Sequence, residues 1–177
     1  MNESERWCTE ALKKVLESPR VIVLLRSIYH TRSRDLIRGV TCRSCSGTLQ
    51  ANKLGYYCPE FKRIVICSEH HMPDDSNRSL DIDAAANKLE DTVVHELVHA
   101  YDANRFKHRM PFHTATACSE IRASNLGQCS RLPSREKEYC VINDSIASLS
   151  NIVGEREAAR LVRQMFAKCF KDKSPFL

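Results

Sequence analysis

The sequence predicts an α+β protein in which one long helix carries a metal-binding pattern beside a small antiparallel sheet. Three observations predict this class. Residues 81–105 contain no proline or glycine and include the pattern H-E-x-x-H at 95–99. Glycines divide residues 39–68 into short strand-like runs, and apolar residues recur at helical spacing near both ends of the chain. At 177 residues the chain is expected to form a single domain, 1–177.

Amphipathic patterns predict helices at both ends of the chain. Residues 3–17 place apolar side chains on one stripe, and Ser18-Pro19 then supplies an N-cap residue followed by proline at the first helical position. A second short helix is predicted to about Tyr29. Further helices are predicted over 115–125, 133–149 and 155–170.

The segment 39–68 is predicted to be a cysteine-containing β region. Its candidate strands are 40–42, 48–51, 56–58 and 63–67. An antiparallel sheet next to the long helix would offer an edge strand to an extended peptide. We expect Arg63–Cys67 or a neighbouring strand to serve as that edge.

The H-E-x-x-H pattern has a specific chemical meaning on a helix. Histidines at i and i+4 lie on one face, so His95 and His99 could both bind one zinc ion. Glu96 could then reach a water on the metal, whose pKa falls from about 15.7 toward about 7. So short a pattern also occurs by chance, but the apolar residues around it favour a buried helix whose polar face lines a cleft.

A catalytic zinc site needs a third protein ligand and an open fourth position. The extended pattern H-E-x-x-H-x-x-G-x-x-H, which supplies a third histidine ligand, is absent. Asp102 stands in the place of its glycine and Arg105 in the place of its third histidine. Glu120, predicted to lie on the following helix, is the expected third ligand. Asp102 is an alternative, either as a ligand or as an acceptor for the far N–H of a histidine. His113 is another, as a ligand or as an oxyanion donor.

Nine cysteines are spread over the whole chain. This spread suits disulfides better than a single metal cluster, and the odd number leaves at least one thiol free. The candidates for disulfides are Cys42, Cys45, Cys58, Cys67, Cys118, Cys129, Cys140 and Cys169. A zinc ribbon made of Cys42, Cys45, Cys67 and His70 is the competing interpretation.

Charge and hydropathy restrict the possible partners. The net charge of +5 comes from 27 Lys and Arg against 22 Asp and Glu, and these residues are scattered, so no nucleic-acid partner is expected. The N-terminus carries Glu3, Glu5 and Glu10, unlike a secretory signal or an acid-poor presequence. The longest apolar run, Val21–Leu25, is far shorter than the roughly 20 residues that span a bilayer, so any membrane contact is expected to be peripheral.

Two central blocks of the sequence resemble one known family. Residues 95–102 (HELVHAYD) and 117–126 (ACSEIRASNL) are similar to the mitochondrial inner-membrane-associated zinc metalloproteases that process the ATP synthase subunit a (subunit 6) precursor. The resemblance extends to residues 41–47 (TCRSCSG), 64–67 (IVIC) and 169–176 (CFKDKSPF). It therefore covers nearly the whole chain.

The resemblance implies a zincin-like fold and a defined activity. It implies one catalytic Zn²⁺ held by His95 and His99, with Glu96 as catalytic base. The implied substrate is the propeptide of the subunit a precursor, and a separate, proteolysis-independent role in assembling the membrane sector is also implied. The implied location is the intermembrane space, peripherally on the inner membrane, after oxidation by the disulfide relay of that compartment.

The chain also departs from that family. The family usually has a histidine three residues before the cysteine of the Cys-Ser-Glu block, where this chain has Ala115, and His113 lies two positions earlier. Leu132-Pro133 has no obvious counterpart. Two other functions compete with the endopeptidase: an assembly chaperone that needs no cleavage, and a zinc-ribbon binding protein.

Overall fold

The computed structural model describes residues 1–30, 35–73, 78–106 and 109–176, with side chains throughout these ranges except at 78–83 and 104. The described helices and strands fall in the order α1 Glu3–Val15, α2 Pro19–His30, β1 Val40–Arg43, β2 Gly55–Cys58, β3 Arg63–Cys67, α3 Arg78–Arg105, α4 Phe112–Leu126, α5 Ser134–Val153 and α6 Glu155–Lys171. The predicted α+β class is confirmed.

The helices begin and end where local chemistry favours it. Asn2 caps α1: its side chain accepts from the Glu5 N–H at 2.8 Å, and Glu5 accepts from the Asn2 N–H at 3.0 Å. This reciprocal arrangement satisfies two N–H groups that the helix leaves unpaired. Pro19 opens α2, as the Ser-Pro pair predicts. No helix in the described ranges is long and apolar enough to cross a membrane.

The sheet differs from the predicted one in two respects. Its strand order is β1-β3-β2, with β1 parallel and β2 antiparallel to β3, so the sheet is mixed rather than antiparallel. Arg63–Cys67 is the central strand and is not an edge, so of the two alternatives only a neighbouring strand, β1 or β2, lies at an edge of the described sheet. The predicted strand at 48–51 is a turn, in which the Thr48 hydroxyl and N–H both donate to the Cys45 carbonyl.

Two large hydrophobic clusters meet at α4, which contributes residues to both. The larger one packs α1, α2 and the sheet against α3, with Leu24, Ile64 and Leu97 fully buried. The smaller one joins α4, α5 and α6 and includes Ile121, Leu149 and Val162. Because α4 packs against α3 and also against α5 and α6, it joins the two clusters.

Four disulfides link the described elements: Cys8–Cys42, Cys45–Cys67, Cys118–Cys169 and Cys129–Cys140. Cys8 therefore takes the place expected for Cys58, which is the free cysteine. The reason is geometric, since α1 lies against β1 and brings Cys8 to Cys42. The zinc ribbon is excluded, because three of its four proposed ligand side chains are consumed by the first two disulfides.

A buried histidine makes the stability of this fold depend on pH. His71 follows β3, is 1% exposed, and shares a 3.0 Å hydrogen bond with the Leu54 carbonyl through Nε2. Burial lowers the pKa of His71 to about 4. The unfolded chain, in which this pKa is near 6.5, therefore binds an additional proton between these two pH values.

We predict that the free energy of unfolding falls as the pH drops from about 6.5 to about 4, by up to about 3 kcal/mol from this residue alone. His71→Gln keeps a donor for Leu54 but does not titrate, so it should lose that part of the pH dependence. Denaturant unfolding at several pH values, with both proteins measured in parallel, checks this. Equal slopes for the two proteins would contradict it.

Candidate metal centre

Helix α3 presents two imidazole rings to a cleft in the protein surface. His95 and His99 lie one turn apart, their Nε2 atoms are 3.0 Å from each other, and their ring planes are inclined by 80°. Both rings line the cleft. The spacing of the two histidines in the sequence thus brings two nitrogen lone pairs to one point.

Helix α4 adds a carboxylate at the same point. Glu120 Oε2 lies 3.8 Å from His95 Nε2, and Glu120 Oε1 lies 3.6 Å from His99 Nε2. The three ligand atoms fall within 4.8 Å of one another. Among the His, Cys, Asp and Glu side chains of the described ranges, these three lie close enough together to hold a metal ion. Two imidazoles and a carboxylate are a donor set that zinc takes in catalytic sites.

One buried oxygen atom indicates that a cation fits at this point. Glu120 Oε2 is buried without a hydrogen-bond partner in the described structure. An unpaired buried carboxylate oxygen is costly unless a cation or a donor compensates it. The two histidine Nε2 atoms also lie at hydrogen-bond distance, 3.0 Å apart. A metal ion bound to His95, His99 and Glu120 would compensate the buried oxygen.

The far ring nitrogens of the two histidines are held by residues that sequence reasoning missed. His95 Nδ1 lies 2.8 Å from Gln128 Oε1, and His99 Nδ1 lies 2.9 Å from Ser119 Oγ. An amide oxygen only accepts, so Nδ1 of His95 carries a proton, and in the neutral ring the Nε2 lone pair is the one available to a metal ion. Asp102 was the residue expected in this role.

A glycine brings Gln128 to His95. A Cβ on Gly127 would lie 2.8 Å from the carbonyl oxygens of Ala123 and Asp91, and 3.0 Å from the Cβ of His95. Only glycine allows the end of α4 to approach α3 this closely. The sequence indicates that Gly127 stops a helix, but no local pattern announces the contact with His95.

Asp144 on α5 fixes Gln128 in turn. The Gln128 amide N–H and the Ser124 hydroxyl both donate to Asp144 Oδ2. A carboxylate, an amide and an imidazole thus form a chain from α5 to the candidate metal position. Such outer partners orient a ligand ring and select its tautomer.

The local charges favour a cation. Burial alone would lower the pKa of His95, but the carboxylates of Glu96, Glu120 and Asp144 outweigh it and raise that pKa above its ordinary value. The same negative potential would attract a metal ion in place of the proton. The carboxylates that favour a cation therefore lie on α4 and α5 as well as on α3.

Glu96 lies beside the candidate ligands in the wall of the cleft. It is 6% exposed and follows His95 directly on α3. The cleft has a volume of about 1010 Å³. The segment 52–57, which includes the start of β2, forms one wall, and α5 residues from Asp144 to Ile152 form another.

The two alternative third ligands lie elsewhere. Asp102 is 1% exposed and its carboxylate binds the Arg122 guanidinium, with Nε–oxygen distances of 2.9 and 3.2 Å. His113 is exposed near the start of α4, with its ring against Phe112. Neither belongs to the group that could hold a metal ion.

Comparison with known proteins agrees with this geometry. The sequence profile of the Peptidase M76 family matches residues 6–177. The chain belongs to the Peptidase M76 family. No solved structure matches the chain.

Several relatives of this Peptidase M76 chain carry the name mitochondrial inner membrane protease atp23. The protein from Aspergillus fumigatus is 30% identical over 90% of this chain and 66% of its own length. The one from Neosartorya fischeri is 32% identical over 96% and 71%, and the one from Schizosaccharomyces pombe is 28% identical over 97% and 92%. The chain thus spans about two thirds of the first two relatives and nearly all of the third.

We predict that Gln128→Ala and Ser119→Ala each weaken metal binding about 10- to 100-fold, because each frees a histidine ring to rotate. Thr116→Ala is the matched control: Thr116 also lines the cleft, but its hydroxyl bonds to the Phe112 carbonyl. Competition with a chromophoric zinc chelator measures the affinities. Unchanged affinity in both variants, or an equal loss in the control, would contradict the prediction.

Proposed function

We propose that this chain is a zinc-dependent endopeptidase of the zincin type. The observation that supports this best is the meeting of two imidazole nitrogens and an unpartnered carboxylate oxygen within 4.8 Å. They lie in a cleft large enough for several residues of a peptide, beside a second buried carboxylate, Glu96. Membership of a peptidase family supports the same reading.

The proposed role of each residue follows from the position of its side chain. His95, His99 and Glu120 would hold Zn²⁺, which when bound polarises the scissile carbonyl and acidifies a water. The carboxylate of Glu96 takes the proton of the attacking water and returns it to the leaving amine. Gln128 and Ser119 keep the two imidazoles oriented while the proton moves.

The peptide is proposed to bind along β2. This strand is an edge of the sheet, and residues 52–57 line the cleft. The Cys67 N–H donates to the Leu54 carbonyl, so in this antiparallel pair Gly55 and Tyr57 direct their backbone N–H and C=O groups away from β3. These groups are the ones that an added strand would use.

The proposed substrate is the precursor of ATP synthase subunit a, and the proposed location is the mitochondrial intermembrane space, peripherally on the inner membrane. Relatives named as mitochondrial inner membrane proteases support the organelle. Four disulfides support an oxidising compartment, and we propose that the disulfide relay of that space forms them on import. A separate role in assembling the membrane sector is part of the proposal.

Glu96→Gln tests the protease. It should retain one zinc ion per chain in native mass spectrometry and lose about 10²- to 10⁴-fold in turnover, because the amide cannot take a proton. Glu10→Gln is the control, since Glu10 is exposed and pairs with Lys13. Precursor cleavage at the parental rate by Glu96→Gln would refute the proposal. Loss of cleavage with normal synthase assembly would support both roles.

Substrate N-methylation tests binding along β2. A peptide spanning the propeptide junction is methylated at one amide at a time. If the peptide adds a strand, methylation should lower kcat/KM at least about 10-fold at every second residue and leave the residues between nearly unaffected, because alternate amides face the sheet edge. The unmethylated peptide is the reference. A loss without this alternation would exclude strand addition.

A further inference from the structure

The segment 172–176 is bound to α3 and α4 by a network of contacts that the peptidase chemistry does not use. Its anchor is Arg122 on α4, a fully buried arginine. A buried guanidinium is tolerated only when its donors are paired. The identity of its acceptors therefore shows what this arginine holds in place.

Arg122 binds two distant parts of the chain at once. Its Nε donates to the Asp102 carboxylate on α3, at 2.9 and 3.2 Å. Its Nη1 donates to the Asp172 carbonyl at 2.5 Å and lies 2.7 Å from Asp172 Oδ1, and its Nη2 donates to the Ser174 carbonyl at 2.5 Å. The segment 172–176 thus supplies the acceptors for two of the three guanidinium nitrogens.

Other contacts fix the segment itself. Arg105 on α3 lies 2.7 Å from Asp172 Oδ2 through Nη2. Asn125 on α4 donates to the Phe170 carbonyl at 2.8 Å, just before the segment. Phe176 packs against the larger hydrophobic cluster, and the Cys118–Cys169 disulfide ties α4 to the end of α6. The segment 172–176 is thereby attached to α3 and α4, the two helices that carry the candidate ligands.

The network lies close to those ligands in the chain. Asp102 follows His99 by three residues on α3, and Arg122 follows Glu120 by two on α4. Residues two apart on a helix point in different directions, so Glu120 faces the cleft while Arg122 faces Asp102 and the segment 172–176. A shift of α4 along α3 would therefore move Glu120 relative to the histidines and break the Arg122 contacts together.

We propose that residues 172–176 act as a strap for the metal centre, with Arg122 and Asp172 as positioning residues. The strap completes the pairing of Arg122, Arg122 holds Asp102, and this link fixes the offset between the helix of His95 and His99 and the helix of Glu120. This inference rests on the proposed metal site. It gives the segment 172–176 a role in the metal affinity and the ligand geometry of that site.

Asp172→Ala and Asp172→Asn test the strap in the full chain. Asp172 is partly exposed, so both variants are expected to fold. Affinity for Co²⁺ and Zn²⁺ is measured by chelator competition, and the visible absorption bands of the Co²⁺ form report the ligand geometry. We expect Asp172→Ala to lose about 10- to 100-fold in affinity and to shift the Co²⁺ bands. Asp172→Asn, which keeps an acceptor for Arg122, should lose less.

Two controls separate positioning from stability and from surface charge. Val141→Ala removes buried volume from the smaller hydrophobic cluster and should lower Tm without changing metal affinity or the Co²⁺ bands. Glu157→Gln removes a carboxylate from an exposed pair with Arg160 on α6. It should change neither the metal affinity nor the Co²⁺ bands.

Parental affinity and bands in Asp172→Ala would overturn the strap while leaving the proposed function intact. An affinity loss in Val141→Ala as large as that in Asp172→Ala would also overturn it. If the unsubstituted chain binds neither Zn²⁺ nor Co²⁺, the proposed function fails and the strap fails with it.

Discussion

The pairing of Arg122 with Asp102 is the constraint on which the other features of this structure depend. Both groups are almost completely buried. Removing one partner of such a pair leaves an unpaired charge in the interior, which costs about 3–5 kcal/mol. The pair therefore selects one offset between α3 and α4. Glu120 meets His95 and His99 only at that offset, and Gln128 reaches the far nitrogen of His95 only if Gly127 lies against α3.

The candidate site places several carboxylates close together in a largely buried position, where negative charge is costly. Glu96, Glu120 and Asp144 all act on His95, and one oxygen of Glu120 is buried without a partner. Such an arrangement is unfavourable in the apo protein, so the surrounding scaffold must hold it. The Cys118–Cys169 disulfide links α4 to α6, and the Cys129–Cys140 disulfide links the segment after α4 to α5. These links restrict how far the helices of Glu120 and Asp144 can relax.

Long-range pairing explains where prediction from the sequence failed in the β region. The runs at 40–42, 56–58 and 63–67 have strand character, and each forms a strand. Their order is a property of the whole sheet: β3 became central because its side chains, from Ile64 to Cys67, are buried, which leaves β2 at the cleft. Cys58 and Cys8 exchanged roles for the same reason, since a disulfide depends on which elements lie side by side rather than on spacing in the chain.

Features that depend on local periodicity could be predicted from the amino-acid sequence. Residue spacing predicts the six α-helices of the described ranges, the histidine pair at i and i+4, and the carboxylate at 120 on the next helix, because a helix repeats every 3.6 residues whatever surrounds it. The contacts of Asp102, Ser119, Gln128 and the segment 172–176 could be seen only in the folded protein. These roles depend on contacts between residues 20 to 50 positions apart, and such contacts are set by packing, which leaves no periodic signal along the chain.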